Sequence, residues 1–360
     1  MAIRPISIAE ALPELPRFDA VIDARSPAEY ADDHLPGALN WPVLDDEQRR
    51  IVGTLYVQES PLAARKVGSA MVARNIAHHV EQWVQDKPCD WRPLVYCWRG
   101  GQRSGSLAWF LDQIGFRTHQ LAGGYKGFRA QVRDALTVLP DRFEWHVLAG
   151  RTGSGKTRLL QALAAEGAQT LDLEALASHR GSVLGGLPNT PQPSQKRFDT
   201  LLWQALGSFD PVRPVFVESE SKRVGRLQLP DALVARMQAA GFCRRVEMPD
   251  AARVELLLQE YGFFADDVDG FCRKLDGLVD LRGRATVQAW QALARAGQWA
   301  ELYGRLMREH YDPLYLRSMR RHFEGFDAAP AVILHDGAPE TVQSAARQLL
   351  ADTIGRAGAA

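Results

Sequence analysis

GRTGSGKT at residues 150–157 is the stretch that decides the fold of the second half of the chain. It follows the apolar run WHVLA at residues 145–149, and it has the Gly-x₄-Gly-Lys-Thr spacing of a loop whose backbone N–H groups surround a phosphate. The lysine of this pattern reaches the outer phosphate oxygens, and the threonine hydroxyl binds Mg²⁺. We predict a strand, a phosphate loop and a helix that begins at Lys156, with Thr157 as a metal ligand. The predicted phosphate-binding residues are Gly150, Gly153, Ser154, Gly155, Lys156 and Thr157.

A second loop, CWRGGQRS at residues 97–104, follows the apolar run LVY at residues 94–96. A cysteine is a thiolate at neutral pH only where positive potential favours the charge. Two arginines flank the cysteine, and two glycines allow backbone N–H groups to converge on an anion. We predict that the cysteine acts as a thiolate nucleophile, which could also carry sulfur or selenium. The predicted catalytic residues are Cys97, Arg99, Gly100, Gly101, Arg103 and Ser104.

The other three cysteines, Cys89, Cys243 and Cys272, form no CxxC pair, which argues against a zinc site and a disulfide framework. A buried structural role is the alternative for Cys97, and Cys89 and Cys243 are better candidates for it. The Cys-x₅-Arg spacing from Cys97 to Arg103 is also that of tyrosine phosphatases. The loop alone therefore leaves a phosphatase open.

Predicted strands and helices alternate along both halves of the chain, which indicates two α/β domains with parallel sheets. The 360 residues are enough for two domains that each bury a core. We place the first domain at residues 1–138 and the second, phosphate-loop domain at residues 139–360. A helical, basic insertion is predicted within the second domain at about residues 251–323.

Charge and hydropathy limit the class of protein. Lysine plus arginine and aspartate plus glutamate both total 43, so nucleic acid would need a local basic patch. The longest basic stretch, residues 271–323, supplies Arg317, Arg320 and Arg321 as candidate contacts. No apolar run is long enough to span a bilayer, and the N-terminus lacks a signal-peptide core, so we expect a cytoplasmic enzyme without a membrane partner.

Two further groups are candidates for the phosphate site. Glu218 and Glu220 follow the β-branched run VFV at residues 215–217, where an acid that supports a metal is expected. His179 and Arg180 open the glycine-rich segment HRGS. Loop structure and solvated charge are the alternative explanation for all four residues.

The first half of the chain resembles the rhodanese family of sulfurtransferases. The resemblance rests on three motifs in the family's order, DARSPAEY (23–30), HLPGA (34–38) and the cysteine loop (97–104). A rhodanese-like domain followed by a phosphate-loop domain resembles, over essentially the whole chain, the bacterial tRNA 2-selenouridine synthase family. Further matches are GGYKGFR (123–129), HRGS (179–182), QPSQK (192–196) and VESESKRVG (217–225).

This resemblance implies a rhodanese-like domain, a P-loop NTPase-like domain and a two-step change at the wobble uridine of tRNA. Geranyl diphosphate first alkylates the sulfur of 2-thiouridine, and selenophosphate then supplies selenium that replaces the geranylated sulfur. It implies that Cys97 carries selenium, that the phosphate loop holds the prenyl diphosphate with Mg²⁺, and that the anticodon loop of tRNA is bound. A selenophosphate-supplying enzyme is an expected partner.

Two other classes of function stay open. The chain could be a P-loop kinase or NTPase with a rhodanese-like sulfurtransferase or regulatory domain, which would turn over nucleotide without tRNA. A phosphatase or binding module would work without selenophosphate.

Overall fold

The computed structural model describes residues 3–182, 184–239, 242–323 and 326–357. The chain divides into two compact units. The first contains Met1–Ala135 and Pro193–Gln204, and the second contains Leu136–Gln192 and Ala205–Ala360. The first unit thus takes up a segment, Pro193–Gln204, that follows the phosphate loop in sequence.

The first unit contains a five-stranded parallel sheet with strand order β1-β5-β4-β2-β3. Its strands are β1 (Arg4–Ile6), β2 (Ala20–Asp23), β3 (Ala38–Asn40), β4 (Pro93–Tyr96) and β5 (His119–Leu121). Its helices are α1 (Ile8–Glu14), α2 (Pro27–Asp32), α3 (Asp46–Gln58), α4 (Pro61–Trp83), α5 (Gln102–Ile114) and α6 (Gly124–Val138), which ends in the second unit.

Local sequence signals set the helix boundaries in this unit. Ser7 and Glu10 form a capping box at the start of α1, and Asp45 and Gln48 do the same for α3. β4 is buried at all four positions, as expected of a central strand with helices on both faces. The centre of the sheet therefore delivers its carboxyl end directly into the cysteine loop.

The second unit contains a parallel sheet with strand order β12-β11-β6-β8-β7 and a small antiparallel pair, β9 with β10. The strands are β6 (Trp145–Ala149), β7 (Gln169–Leu171), β8 (Val215–Glu218), β9 (Arg223–Val224), β10 (Leu227–Gln228), β11 (Phe242–Glu247) and β12 (Ala331–Ile333). The helices are α7 (Lys156–Ala165), α8 (Leu173–Ala177), α9 (Gln195–Gly207), which begins in the first unit, α10 (Asp231–Gln238), α11 (Asp250–Glu260), α12 (Val268–Asp276), α13 (Val279–Arg282), α14 (Arg284–Arg295), α15 (Trp299–Leu306), α16 (Asp312–His322) and α17 (Pro339–Ala357).

The helical insertion lies between β11 and β12 in sequence, although these two strands are paired in the sheet. Helices α11 to α16 connect β11 to β12. Helices α11, α12, α14 and α15 contribute buried residues to one apolar core, in which Trp290 and Phe271 are among the largest fully buried side chains. The predicted fold class is confirmed: the chain has two α/β units, each with a sheet of parallel strands, and the second unit carries a helical insertion. No helix in the described part of the chain combines the length and the apolar character needed to cross a membrane.

Candidate active sites

The cysteine loop begins where β4 ends, and the start of α6 holds its backbone in place. The carbonyl oxygen of Cys97 accepts a hydrogen bond from the amide of Tyr125 at 2.8 Å, and that of Trp98 accepts one from Lys126 at 2.8 Å. A Cβ atom at Gly124 would collide with the carbonyl oxygen of Cys97 and the amide of Gly100. Glycine is needed at this position because the two backbone segments touch, and its φ of +53° also favours glycine.

The thiol of Cys97 lies at the N-terminal turn of α5. Cys97 is only 3% exposed. Ser104, in the first turn of α5, donates a hydrogen bond from its Oγ to the Sγ of Cys97 at 3.2 Å. Gln120 Nε2 donates to Ser104 Oγ at 3.0 Å and to the Gly100 carbonyl at 2.8 Å, so the loop and the helix start are held together. The sulfur therefore lies beside a helix N-terminus, which carries positive potential.

The burial of the four cysteines differs from the expectation that Cys89 and Cys243 are more deeply buried than Cys97. Cys97 and Cys272 are buried, Cys243 is half-buried, and Cys89 is exposed. The suggestion that Cys89 is a better candidate for a buried structural cysteine than Cys97 is therefore wrong. Cys89 lies in the exposed turn before Trp91, where its side chain has no core to enter.

The two arginines of the cysteine loop have different surroundings. Arg103 forms a bidentate ion pair with Glu29, in which Nη2 lies 3.3 Å from Oε1, and Arg99 is exposed. Burial opposes the charge of Glu29, but the hydrogen bond and charge of Arg103 outweigh it, so the pKa of Glu29 is lowered. Glu29 was missed as a site residue, although its place in the capping box of α2 was visible in SPAE. The roles predicted for Arg99 and Arg103 toward the thiolate stay predictions.

The segment Pro193–Gln204 joins the first unit through the acids that precede HLPGA. Lys196 Nζ pairs with Asp32 at 2.6 Å, and Thr200 Oγ1 donates to the buried carboxylate of Asp33 at 2.9 Å. Tyr125 donates to the same oxygen at 2.9 Å, and Arg129 pairs with Asp199 at 2.7 Å. The motif QPSQK therefore has a structural partner in the first unit.

The phosphate loop follows β6, which lies between β8 and β11, and its backbone is anchored by side chains from distant helices. Lys156 Nζ donates to the carbonyl of Gly150 at 2.7 Å, and its ammonium lies 5.5 Å from the ring centre of Tyr315. The hydroxyl of Tyr315 accepts a hydrogen bond from the Gly150 amide. The fully buried Arg253 donates to the carbonyl of Thr152 at 2.6 Å and pairs with Asp312 at 2.6 Å. Neither Tyr315 nor Arg253 belongs to a sequence motif that would have identified it.

A cavity of about 500 Å³ opens beside the phosphate loop. The loop forms one wall, the residues that follow β7 and β8 form another, and α16 contributes Tyr315, Ser318 and Met319. Nine of the predicted residues line this cavity: Gly153, Ser154, Gly155, Lys156, Thr157, His179, Arg180, Glu218 and Glu220. Gly150 is not among the cavity's lining residues; its carbonyl accepts from Lys156 and its amide donates to Tyr315, and its phosphate-binding role stays a prediction.

Three glutamates, Glu174, Glu218 and Glu220, meet in this cavity, each with a carboxylate oxygen within 4.8 Å of the others. Burial, with the charges of Glu218 and Glu220, raises the pKa of Glu174 to about 9. Burial, with the charge of Glu218, raises the pKa of Glu220 to about 8, and burial raises the pKa of Glu218. Glu174 was missed by the sequence analysis, although β7 ends at the same sheet edge as β8.

The donor set fits a divalent cation with oxygen ligands. Glu218 is 3% exposed, and its Oε1 atom has no hydrogen-bond partner among the described residues. The charge of Lys156 and the neighbouring Thr157 side chain oppose the effect of burial on the pKa of Glu218 but do not outweigh it. Carboxylate and hydroxyl oxygens are the ligands that Mg²⁺ prefers.

His179 and Arg180 occupy the rim of the cavity. Arg180 donates from Nη1 to the carbonyl of Glu260 at 2.6 Å, and its guanidinium lies 4.8 Å from the ring centre of Tyr261. The backbone of His179 forms an isolated antiparallel β-bridge with Gly186. Burial, and to a smaller extent the charge of Lys274, lowers the pKa of the His179 imidazole. Arg180 therefore has a clear structural role, and a role toward substrate stays a prediction for both residues.

The predicted basic contacts lie on the outer side of α16. Arg317 and Arg321 are exposed, and Arg320 is 60% exposed and pairs with Asp327 at 3.0 Å. The helical repeat places these three side chains opposite Tyr315 and Met319, which face the cavity. The structure thus leaves the three arginines accessible to a large ligand.

Two family models match the chain. A model of the rhodanese-like domain matches residues 7–131, and a model of the tRNA 2-selenouridine synthase AAA domain matches residues 143–275. The tRNA 2-selenouridine synthase of Nitrosomonas eutropha is 32% identical over 355 residues, which cover 84% of this chain and 88% of that protein. The chain belongs to the tRNA 2-selenouridine synthase family.

Another member of this synthase family, from Nitrosomonas europaea, is 38% identical over 249 residues. That alignment covers 67% of this chain and 63% of the relative, so it spans less than two thirds of the relative's length. Among solved structures, a rhodanese-related protein from Thermoplasma volcanium is 17% identical, with a TM-score of 0.24, and the match covers 36% of this chain and 92% of that one.

Proposed function

We propose that the chain is a tRNA-modifying transferase that converts wobble 2-thiouridine into 2-selenouridine through an S-geranylated intermediate. One observation carries the proposal. This chain of the synthase family contains both a buried thiol at a helix N-terminus and a phosphate loop beside an acid-lined cavity. The first suits a chalcogen-carrying nucleophile and the second suits a diphosphate. The relatives with which the chain aligns are named tRNA 2-selenouridine synthase.

In the first proposed step, the sulfur of 2-thiouridine attacks the first carbon of geranyl diphosphate. A C–S bond forms, the C–O bond breaks with its electron pair on the departing diphosphate, and the base releases its N3 proton to water. The loop Gly153–Thr157 would hold that diphosphate through its backbone N–H groups and the ammonium of Lys156. Lys156 now donates to the Gly150 carbonyl, so its ammonium is already fixed inside the loop.

Thr157 and Glu218 would hold a Mg²⁺ ion, with Glu174 and Glu220 as neighbouring carboxylates. When bound, such an ion supplies positive charge that stabilises the departing diphosphate. The protein's own contribution is the orientation of the diphosphate by the loop and the shielding of the reacting carbon from water within the cavity.

In the second proposed step, a selenium nucleophile derived from selenophosphate attacks the ring carbon. A C–Se bond forms, the C–S bond breaks, and the sulfur leaves with its electron pair as geranylthiolate, which takes up a proton. Water cleaves the Se–P bond and phosphate is released. Geranylation comes first because a thiocarbonyl sulfur is a poor leaving group, whereas an alkylated sulfur departs readily. We assign Cys97 as the residue that carries selenium, oriented by Ser104. Arg99, Arg103 and the amides of Gly100 and Gly101 would stabilise the charge.

The substrate is a base in the anticodon loop, so the chain would bind tRNA and extrude the wobble nucleotide from its stack. Arg317, Arg320 and Arg321 are the proposed phosphate contacts. An enzyme that makes selenophosphate is a proposed partner, because the second step consumes that compound.

Mass spectrometry of nucleosides tests the proposal. The purified chain is incubated with tRNA that contains 2-thiouridine, first with geranyl diphosphate and then with selenophosphate. We expect S-geranyl-2-thiouridine after the first addition and 2-selenouridine after the second. ATP or GTP hydrolysis without tRNA, together with no modified nucleoside, would instead support the P-loop kinase or NTPase, for which the phosphate loop alone is sufficient.

A further inference from the structure

A narrow apolar slot adjoins the phosphate cavity in the second unit. Its inner wall is formed by Leu184, Phe264, Leu306 and Met307, which are all at least nine-tenths buried. None of the described residues that line the slot carries a charge. The slot is therefore a place where an apolar group is stabilised and an ionic group is not.

The slot lies directly beside the phosphate cavity. Four residues, Thr152, Ser182, Leu257 and Tyr261, line both of them. Thr152 belongs to the phosphate loop itself, and Arg253 fixes its carbonyl. A ligand with its diphosphate in the loop would thus have its next atoms at the mouth of the slot.

The wall of the slot contains a π-helical turn, Met307–Tyr311, and both end residues of this turn line the slot. Single π-helical turns occur mainly at functional sites, since they displace side chains from regular helical packing. Met307 is unbranched and adapts to the shape of a neighbour. Tyr261 and Phe264, stacked at 5.9 Å between ring centres, form an aromatic wall beside it.

The side chains that line the slot bear on whether a nucleotide or a prenyl diphosphate binds here. A nucleotide would place ribose hydroxyls and base nitrogens beyond the phosphates, and these need polar partners. The slot offers mainly leucine, methionine and aromatic side chains, and among the described residues its only polar side-chain groups are the hydroxyls of Thr152, Ser182, Tyr261, Tyr303 and Tyr311. We infer that the slot is the binding site for the hydrocarbon tail of a prenyl diphosphate, which rests on the proposed function of the phosphate loop.

The slot is closed in this structure. Its cavity of about 20 Å³ has room for about one water molecule, so a ten-carbon tail enters only when side chains move apart. Leu306, the last residue of α15, is 2% exposed and lines the slot, so its side chain fills room that a longer tail would need.

Binding measurements on the full chain test the inference. Inorganic diphosphate, geranyl diphosphate and the longer farnesyl diphosphate are titrated by calorimetry in the presence of Mg²⁺. We expect geranyl diphosphate to bind on the order of 100-fold more tightly than inorganic diphosphate, because the tail buries apolar surface. Leu306→Ala should shift the preference toward farnesyl diphosphate about tenfold, since it lengthens the slot, and leave inorganic diphosphate binding unchanged.

Leu302→Ala is the matched control. Leu302 and Leu306 lie on the same helix in the same apolar core, at 0% and 2% exposure, and only Leu306 lines the slot. An equal shift in tail preference for both variants would overturn the inference, because general loosening of the core would explain it. If Leu306→Ala does not fold by circular dichroism, Leu306→Val carries the same comparison.

The outcomes for the slot and for the phosphate site are distinguishable. Equal affinity for inorganic and geranyl diphosphate would overturn the slot while leaving the phosphate loop as a diphosphate site. Loss of binding for all three ligands would overturn the proposed function itself, and the inference with it.

Discussion

The hydroxyl of Tyr315 accepts a hydrogen bond from the amide of Gly150, which joins α16 to the first residue of the phosphate loop. The same hydroxyl lies 2.9 Å from Ser219 Oγ, at the end of β8. One side chain thus contacts both the loop that would hold a diphosphate and the strand end that carries the acids. Helix α16 also exposes Arg317 and Arg321 on its outer side.

Replacement of Tyr315 by Phe should weaken inorganic diphosphate binding about tenfold, because the Gly150 amide loses its acceptor. A buried donor left without a partner also costs about 1–3 kcal/mol of stability. Calorimetric titration and thermal unfolding measure the two effects. Tyr30→Phe is the control, since it removes a part-buried hydrogen bond to the carbonyl of Ala38 in the first unit. Unchanged diphosphate affinity in the Tyr315 variant would contradict the anchoring role.

Lys156→Ala should abolish geranyl diphosphate binding and hence geranylation, because its ammonium is the cation fixed by the Gly150 carbonyl inside the loop. Selenation of tRNA that is already geranylated should survive better. Nucleoside mass spectrometry after each step separates the two activities. Unchanged geranyl diphosphate affinity combined with lost ATP binding would move the chain to the NTPase class.

Cys97→Ser should abolish the formation of 2-selenouridine and leave geranylation largely intact, since only the selenium step needs a thiolate. Cys89→Ser is the matched control, because Cys89 is an exposed free cysteine. Incorporation of selenium is followed by mass spectrometry with selenophosphate as donor. Undiminished 2-selenouridine production by the Cys97 variant would show that this thiol does not carry selenium.

The two loops and their strands could be predicted because each is a local pattern. The glycines, the lysine and the preceding apolar run fix strand, turn and helix within a dozen or so residues. Glu174, Arg253 and Tyr315 could not be assigned in this way, since each reaches the phosphate site from a different segment. No spacing rule relates Arg253 to the Thr152 carbonyl that it holds.

Contacts between distant segments also could not be predicted for the segment after the phosphate loop. Helix α9 spans Gln195–Gly207 and follows the phosphate loop in sequence. Its first turns nevertheless pack with the first unit, where Thr200 meets the buried Asp33. Amphipathic spacing shows that a helix has an apolar face but does not show which sheet covers that face.

The stability of the metal-free chain should fall as the pH rises from about 5.5 to 8.5. Glu174 and Glu220 have folded-state pKa values of about 9 and about 8, above the ordinary value of 4.5. The folded chain therefore keeps protons that the unfolded chain has released in this window. Each such carboxyl lowers the free energy of unfolding by at most about 1.4 kcal/mol per pH unit.

Thermal unfolding in EDTA at several pH values measures this decline. Glu174→Gln and Glu220→Gln should each flatten it, because the amide cannot ionise. Glu255→Gln, at an exposed position on α11, should leave it unchanged. Added Mg²⁺ should also reduce the decline if it binds the ionised carboxylates. Parallel curves for wild type and both cluster variants would show that these acids are not protonated in the folded chain.

Reversal of Arg317, Arg320 and Arg321 to Glu should weaken tRNA binding and reduce its dependence on salt. The chain has no net charge, so attraction of RNA depends on local clusters such as this exposed face of α16. Each phosphate contact that is lost removes the release of about one counterion, and the slope of log K against log salt falls accordingly. Filter binding at several salt concentrations measures the slope.

Arg347→Glu is the matched control for this prediction. Arg347 is 63% exposed and pairs with Glu166 at 2.9 Å, much as Arg320 is 60% exposed and pairs with Asp327 at 3.0 Å. Its reversal changes the net charge of the second unit without touching α16, so it reports the effect of charge alone. Inorganic diphosphate affinity should stay the same in both variants, because Tyr315 and Met319 face the cavity from the opposite side of the helix. An unaltered salt slope in the triple variant would mean that the arginines are a solvated helix face and that tRNA binds another surface.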